Sequence, residues 1–101
     1  MIIYNVTIKV TKAIQKDWLA WLKDEHIPDV LSTKCFSKAT ILHLLEVDES
    51  EGSTYAIQYS GQNRGDYKRY LDEFADTLRQ RSFDRWGDQF IAFRTIMEVV
   101  N

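Results

Sequence analysis

Two residues in the chain carry side chains suited to proton or anion chemistry in an apolar setting, His26 and Arg94. His26 follows Trp18 by eight residues and Leu22 by four, so on a helix it falls on or beside their apolar stripe. A histidine there can act as a general base or orient a ligand, because imidazole titrates near neutrality. It can equally be a helix-end histidine, held by the helix dipole and bonded to a nearby carbonyl. Arg94 lies mid-segment among Phe90, Ala92, Phe93 and Ile96. A guanidinium in such company needs a carboxylate or a bound anion. It can clamp a substrate carboxylate or oxyanion, or pair structurally with Glu98 or across a subunit interface. His26 and Arg94 are therefore the candidate catalytic pair. Trp18, Trp21, Tyr59 and Tyr67 are the candidate ligand-binding set, with Tyr55 and Tyr70 as further wall residues, since such rings offer an apolar body and a polar tip. The competing reading places these aromatics in the core and its rim. Asn5 and His43 are expected as satisfied polar groups on an interface side.

Other chemistries are poorly served. The two histidines, His26 and His43, lie on different segments, and no His-x-x-x-His, Glu-x-x-His or Cys-x-x-Cys spacing occurs, so no metal site is expected. The single cysteine, Cys35, has only Lys34 beside it to lower its pKa and cannot form an intrachain disulfide. No Gly-rich phosphate loop is present, and no cofactor is expected. Thirteen Lys and Arg against fifteen Asp and Glu give a formal charge of −2, unlike a nucleic-acid-binding domain. No apolar run is long enough to span a membrane. The first residues, Met1-Ile2-Ile3-Tyr4-Asn5-Val6, lack the charged and apolar regions of a signal peptide. A soluble, cytoplasmic protein is the expectation.

The elements that must hold these residues can be read from periodicity. Residues 2–11 alternate, with Ile2, Tyr4, Val6, Ile8 and Val10 on one face, and predict a strand. Residues 12–27 switch to helical spacing, with Thr11 as N-cap and Pro28 limiting continuation. Pro28 to Leu31 can add a turn at an angle. A second strand is expected over 36–48 and a third over 54–60, joined by the polar turn 48–53 as a hairpin. Asn63 is placed to cap a second helix, with Asp66 three residues on; that helix carries Tyr67, Tyr70, Leu71, Phe74 and Leu78 and runs to Trp86-Gly87. Residues 89–100 predict the last strand. The order βαββαβ in one domain, residues 1–101, has one dominant solution: an α+β, ferredoxin-like sandwich of a four-stranded antiparallel sheet with two helices on one face.

Two helices leave the other face of the sheet open, and that face should be polar in a monomer. The first strand obeys, offering Asn5, Thr7 and Lys9. The second and fourth do not: Ile41, Leu45 and Val47 on one side with Leu42 and Leu44 on the other, and Phe93, Met97 and Val99 against Phe90 and Ile96. Surplus apolar surface of this kind marks interfaces. A homodimer through the open sheet face is expected, each large side chain so covered contributing roughly 1.5–3 kcal/mol.

Several stretches resemble a known family. Ile3-Tyr4-Asn5-Val6-Thr7, the helix Trp18-Leu19-Ala20-Trp21 running into Glu25-His26-Ile27-Pro28, and Phe93-Arg94-Thr95 with Glu98-Val99 are similar to a family of short bacterial proteins defined as a domain of unknown function. The resemblance spans essentially the whole chain and implies membership of the dimeric α+β barrel group, with sheet-to-sheet dimers. That group includes cofactor-independent monooxygenases, lactone isomerases, haem-degrading enzymes and stress-induced proteins. The Trp21-to-His26-x-Pro28 stretch also resembles a helix motif of alkyl-ether-degradation accessory proteins, in which three residues separate Trp from His. Here four do, a departure that turns the Trp by about 100° on an α-helix.

Three functions remain open on these grounds. One is a homodimer binding an anionic or aromatic small molecule. Another is a cofactor-free monooxygenase- or isomerase-like enzyme, with His26 carrying a proton and Arg94 stabilising an oxyanion. The last is a protein-interaction module that uses the apolar sheet face.

Overall fold

The computed structural model describes residues 1–101. The chain runs β1 (Ile2–Val10), α1 (Gln15–Trp21), a π turn (Leu22–His26), α2 (Ile27–Ser32), β2 (Lys38–His43), β3 (Thr54–Gly61), α3 (Arg64–Glu73), α4 (Ala75–Trp86) and β4 (Phe90–Glu98). The four strands form one sheet in the order β2-β3-β1-β4, with every neighbouring pair antiparallel. This is the α+β, ferredoxin-like arrangement that the pattern predicts. No helix is long and apolar enough to cross a membrane.

Register decides which side chains share a face. Tyr4 stands between Tyr59 and Ile96, Val6 between Ile57 and Arg94, and Ile8 between Tyr55 and Ala92. These residues point to the helices, and the core gathers there: Tyr4, Trp18, Leu22, Val30 and Ile57 are all buried. Tyr4, Phe36, Tyr59 and Tyr70 stack and tilt against one another with ring centroids 5.1 to 5.9 Å apart. Asn5, Thr7 and Lys9 point to the opposite, open face, as expected.

Four local expectations are corrected. The first helix is not capped by Thr11, whose hydroxyl donates to Gln89 Oε1 instead (2.7 Å); the helix begins after Ile14, which has no side-chain cap. Pro28 limits continuation less than expected: the further turn over Pro28 to Leu31 forms as α2, with Pro28 in its first turn, where its missing N–H costs nothing. The strand expected to reach Asp48 leaves the ladder at His43. Leu44 still donates to Thr54 O, but Glu46 then takes a left-handed φ of 57°, and Asp48 accepts from the Ser50 N–H in a tight turn. The helix expected to run unbroken from Asn63 bends at Phe74 (φ −127°), although Asn63 does cap its start, accepting from Asp66 N–H at 3.1 Å. The bend lets Tyr70 and then Ala75 and Leu78 all face the sheet.

The β2–β3 connection is fastened to the end of β1. Val10 N–H donates to Ser53 O and Lys12 N–H to Glu51 O, both at 3.1 Å. Gly52 makes this approach possible: a Cβ there would lie 1.7 Å from the Val10 carbonyl oxygen, at a φ of 152° that other residues avoid.

The open face carries its apolar residues on the edge strands. Phe93 is 68% exposed and Ile91 60%, with Leu42 and Met97 also open to solvent. His43 is not on this face. It pairs with Tyr55 on the helix side, stacks on that ring at 5.1 Å, and bonds Glu49 at 2.6 Å.

Candidate ligand-binding cleft

The helix layer does not seal against the sheet everywhere. Between α1, the π turn and α4 on one side and β1, β3 and β4 on the other lies a cavity of about 50 Å³. Trp18, Leu22 and Ile57, each nearly inaccessible, make its floor. Val6, Ile8, Phe90 and Ala92 extend the apolar wall, and Arg94, an exposed residue, marks the mouth. Polar atoms enter from His26, Arg79, Ser82, Tyr4, Tyr59 and Tyr70; no Asp or Glu lines the cavity.

The π turn aims His26. On a regular α-helix, residues five apart stand about 140° apart around the axis. Here Ile27 N–H reaches back five residues to Leu22 O, adding one residue to the turn. Trp21 and His26 are thereby superposed, their rings 4.8 Å apart and 21° from parallel. The extra residue between Trp and His, which on an α-helix rotates the pair apart, is absorbed by the wider turn. Trp86 packs edge-on against Trp21 at 5.8 Å.

His26 is half-buried and makes no hydrogen bond, and the helical path continues past it to Ser32. The helix-end, carbonyl-bonded alternative is therefore excluded. Burial lowers its pKa from 6.5 to about 4; nearby Asp29 opposes this shift and Arg94 adds to it. The ring is neutral at pH 7 and can accept a proton or a hydrogen bond.

Arg94 has no carboxylate within ion-pairing distance. Glu98 shares its face but does not reach it, and the four ion pairs of the protein lie elsewhere. Arg79 donates to the Tyr4 hydroxyl at 3.1 Å, while its Nε is buried without a partner. Burial works against the Arg79 charge, but the bond it donates to Tyr4 and the nearby Tyr4, Tyr70 and Tyr67 oxygens outweigh it and raise the pKa. Burial pushes the Tyr59 and Tyr70 phenols well above their usual range, so both remain protonated donors. The cavity therefore presents two cations, several phenols and one neutral base, with no anion of its own.

His26, Arg94, Trp18, Trp21 and Tyr59 all line this cavity. Tyr67 does not; it packs on Tyr4 at 5.3 Å behind the wall, and Tyr55 stacks on Trp18 at 5.7 Å outside the lining. Sequence reasoning missed Arg79, Tyr4 and Ser82. One signal was available for Arg79: with Ser82 three residues on and Trp86 seven, it forms a helical stripe beside the Leu78 stripe.

No curated protein matches the sequence. Solved structures do match in fold. A dimeric ferredoxin-like protein from an uncultured marine organism superposes with a TM-score of 0.75 at 10% identity, covering 99% of this chain and 95% of that one. A second dimeric ferredoxin-like protein from an uncultured marine organism gives 0.68 at 15% identity, covering 100% and 96%. An ethyl tert-butyl ether d (ethd) family protein from Bacillus halodurans gives 0.68 at 9% identity, covering 99% and 100%. At these identities the likeness is one of fold. The family model described as a domain of unknown function, DUF4286, matches residues 1–100, and the chain belongs to that family.

Proposed function

We propose that this protein is a homodimeric binding protein for a small molecule bearing an anionic group, which sits in the cleft between the helices and the sheet. One observation carries the reading: Arg94 and Arg79 both border an apolar-walled cavity, and neither has a carboxylate partner. Arg79 is partly buried and its Nε lacks an acceptor, while Arg94 stands free at the mouth; an anion entering the cleft would answer both, and the protein supplies none at this cavity. His26 and the wall residues Trp18, Trp21 and Tyr59 complete the binding set; Tyr67 supports it from behind Tyr4.

The dimer forms through the open sheet face. The exposed Phe93, Ile91, Leu42 and Met97 support this, as does the dimeric description of two structural neighbours. A reducing compartment, the cytoplasm, suits the lone buried thiol of Cys35.

A second reading, cofactor-free proton-transfer catalysis, draws on His26 as the neutral nitrogen base facing the cavity. Its pKa of about 4 argues against it, because general bases work best with values near the operating pH. The binding reading therefore comes first.

Native mass spectrometry of the protein purified gently from its own cells tests both parts. The expected result is a dimer carrying a small extra mass, which Arg94→Ala loses. A monomer overturns the dimer, and a bare wild-type dimer overturns the binding function.

A further inference from the structure

Size decides between the two ligand chemistries that the cleft residues suggest. A water molecule needs roughly 10–15 Å³ of such space, so a cavity of about 50 Å³ holds about four water-sized atoms. A cavity that takes benzene is about three times larger. An aromatic body exceeds this enclosed space, whereas an alkyl tail of about one to three carbons fits it, with its carboxylate at the open mouth where Arg94 stands.

The wall narrows the class further. Most of the lining is hydrophobic, with Leu22 and Ile57 at the floor. A phosphate or sulfate would turn unmatched oxygens toward that floor at a large desolvation cost. An alkyl chain meets it favourably, while two carboxylate oxygens find Arg79 and Arg94 as donors.

Resting on the reading of this cleft as an anion-binding site, we infer that its ligand is a monocarboxylate of about two to four carbons, and that binding it places a proton on His26.

The proton follows from what surrounds His26. Asp29 on α2 favours the charged ring, and Arg94 on β4 opposes it. Trp21 covers one ring face. Across the cavity stand Arg79 on α4, Tyr70 on α3, Tyr4 on β1 and Tyr59 on β3; burial keeps the Tyr59 and Tyr70 phenols protonated, and no Asp or Glu lines the cavity. A bound carboxylate offsets Arg94 and becomes the nearest negative charge in the cavity. Its presence therefore raises the proton affinity of the ring, and by linkage the protonated ring raises the affinity for the carboxylate. The ligand is taken up, in net charge, as the acid.

Calorimetric titration with propionate, near pH 5.5 and near pH 7.5 and in two buffers of different ionisation heat, tests this. Benzoate and inorganic phosphate serve as comparison ligands. Propionate is expected to bind about tenfold tighter at the lower pH, with proton uptake visible as a buffer-dependent heat. Arg94→Ala should weaken binding at both pH values, and His26→Gln should bind with one affinity at both. In the unmodified protein, the His26 ring resonance should titrate at higher pH when propionate is present, which covers the case of a poorly folded variant. Tight propionate binding with no pH dependence and no proton uptake overturns the role of His26 and leaves the anion site standing. Benzoate or phosphate binding as tightly as propionate overturns the ligand class. If none of the three binds at either pH, the reading of the cleft fails, and this inference fails with it.

Discussion

The two faces of one sheet differ sharply in what their side chains have for company. On the helix side, Tyr4, Val6, Ile57 and Tyr59 are buried beneath Trp18, Leu22 and Tyr70, and the remaining gap collects His26, Arg79 and Arg94. On the open side, the central strands present Asn5, Thr7 and Gln58, while Phe93 and Ile91 on β4 and Leu42 on β2 stand in solvent. Each strand contributes to both faces by simple alternation. Tertiary structure thus buries most of one face, leaving only the cavity unfilled, and leaves the apolar residues of the other exposed.

The largest expected effect tests whether stability resides on the helix side. Trp18 is 2% exposed and Phe93 68%. Trp18→Ala should cost about 3–5 kcal/mol in urea unfolding. Phe93→Ala should leave the folding stability of a dilute, monomeric sample within about 0.5 kcal/mol of the parent. Phe93→Glu, by contrast, should abolish self-association in sedimentation experiments while the fold stays intact. Comparable losses from Trp18→Ala and Phe93→Ala in dilute samples would erase the distinction between the faces.

The next effect belongs to the cavity. Unfolded, His26 titrates near 6.5; folded, near 4. Between these values the unfolded chain binds the proton and the folded chain does not, so stability falls as pH drops from 6.5 toward 4 and is flat above and below. At full size the loss is about 3 kcal/mol, an upper bound because the ring is only half-buried. Chemical denaturation at several pH values should show this slope in the parent and lack most of it in His26→Gln. An unchanged slope in the variant would assign the acid sensitivity to other groups.

Legibility differed between the faces too. Strand alternation and helical spacing revealed the element order, because burying a one-sided sheet forces a period of two on the strands and of 3.6 on the helices. Element ends were harder, because they depend on contacts distant in sequence. β2 stops where Glu46 turns left-handed, and the Gly52 approach to Val10 O dictates where that loop must go. The cavity was read in part. His26 and Arg94 stood out as polar residues in apolar runs, and both line it. Arg79 did not stand out, since its burial comes from β1 folding Tyr4 beneath it. The facing of His26 on Trp21 was hidden by a π turn, a feature that side-chain periodicity read at 3.6 residues per turn cannot reveal.

The smallest effect probes the middle of the open face. Asn5 is 8% exposed there although no helix covers it; its Nδ2 donates to Thr7 Oγ1 at 3.0 Å and its Oδ1 accepts from Gln58 at 3.4 Å. In a monomer, Asn5→Ala frees Thr7 and Gln58 to bond water, so folding should lose no more than about 1 kcal/mol. In a dimer closed face to face, the same two groups would be sealed away from water with one partner missing. The loss should then exceed the monomer value and appear in the dissociation constant, measured by dilution, rather than in the unfolding of dilute protein. A loss that does not change with protein concentration would mean that Asn5 lies outside the subunit contact. The interface would then be confined to the apolar edge strands, with the polar centre of the sheet left wet.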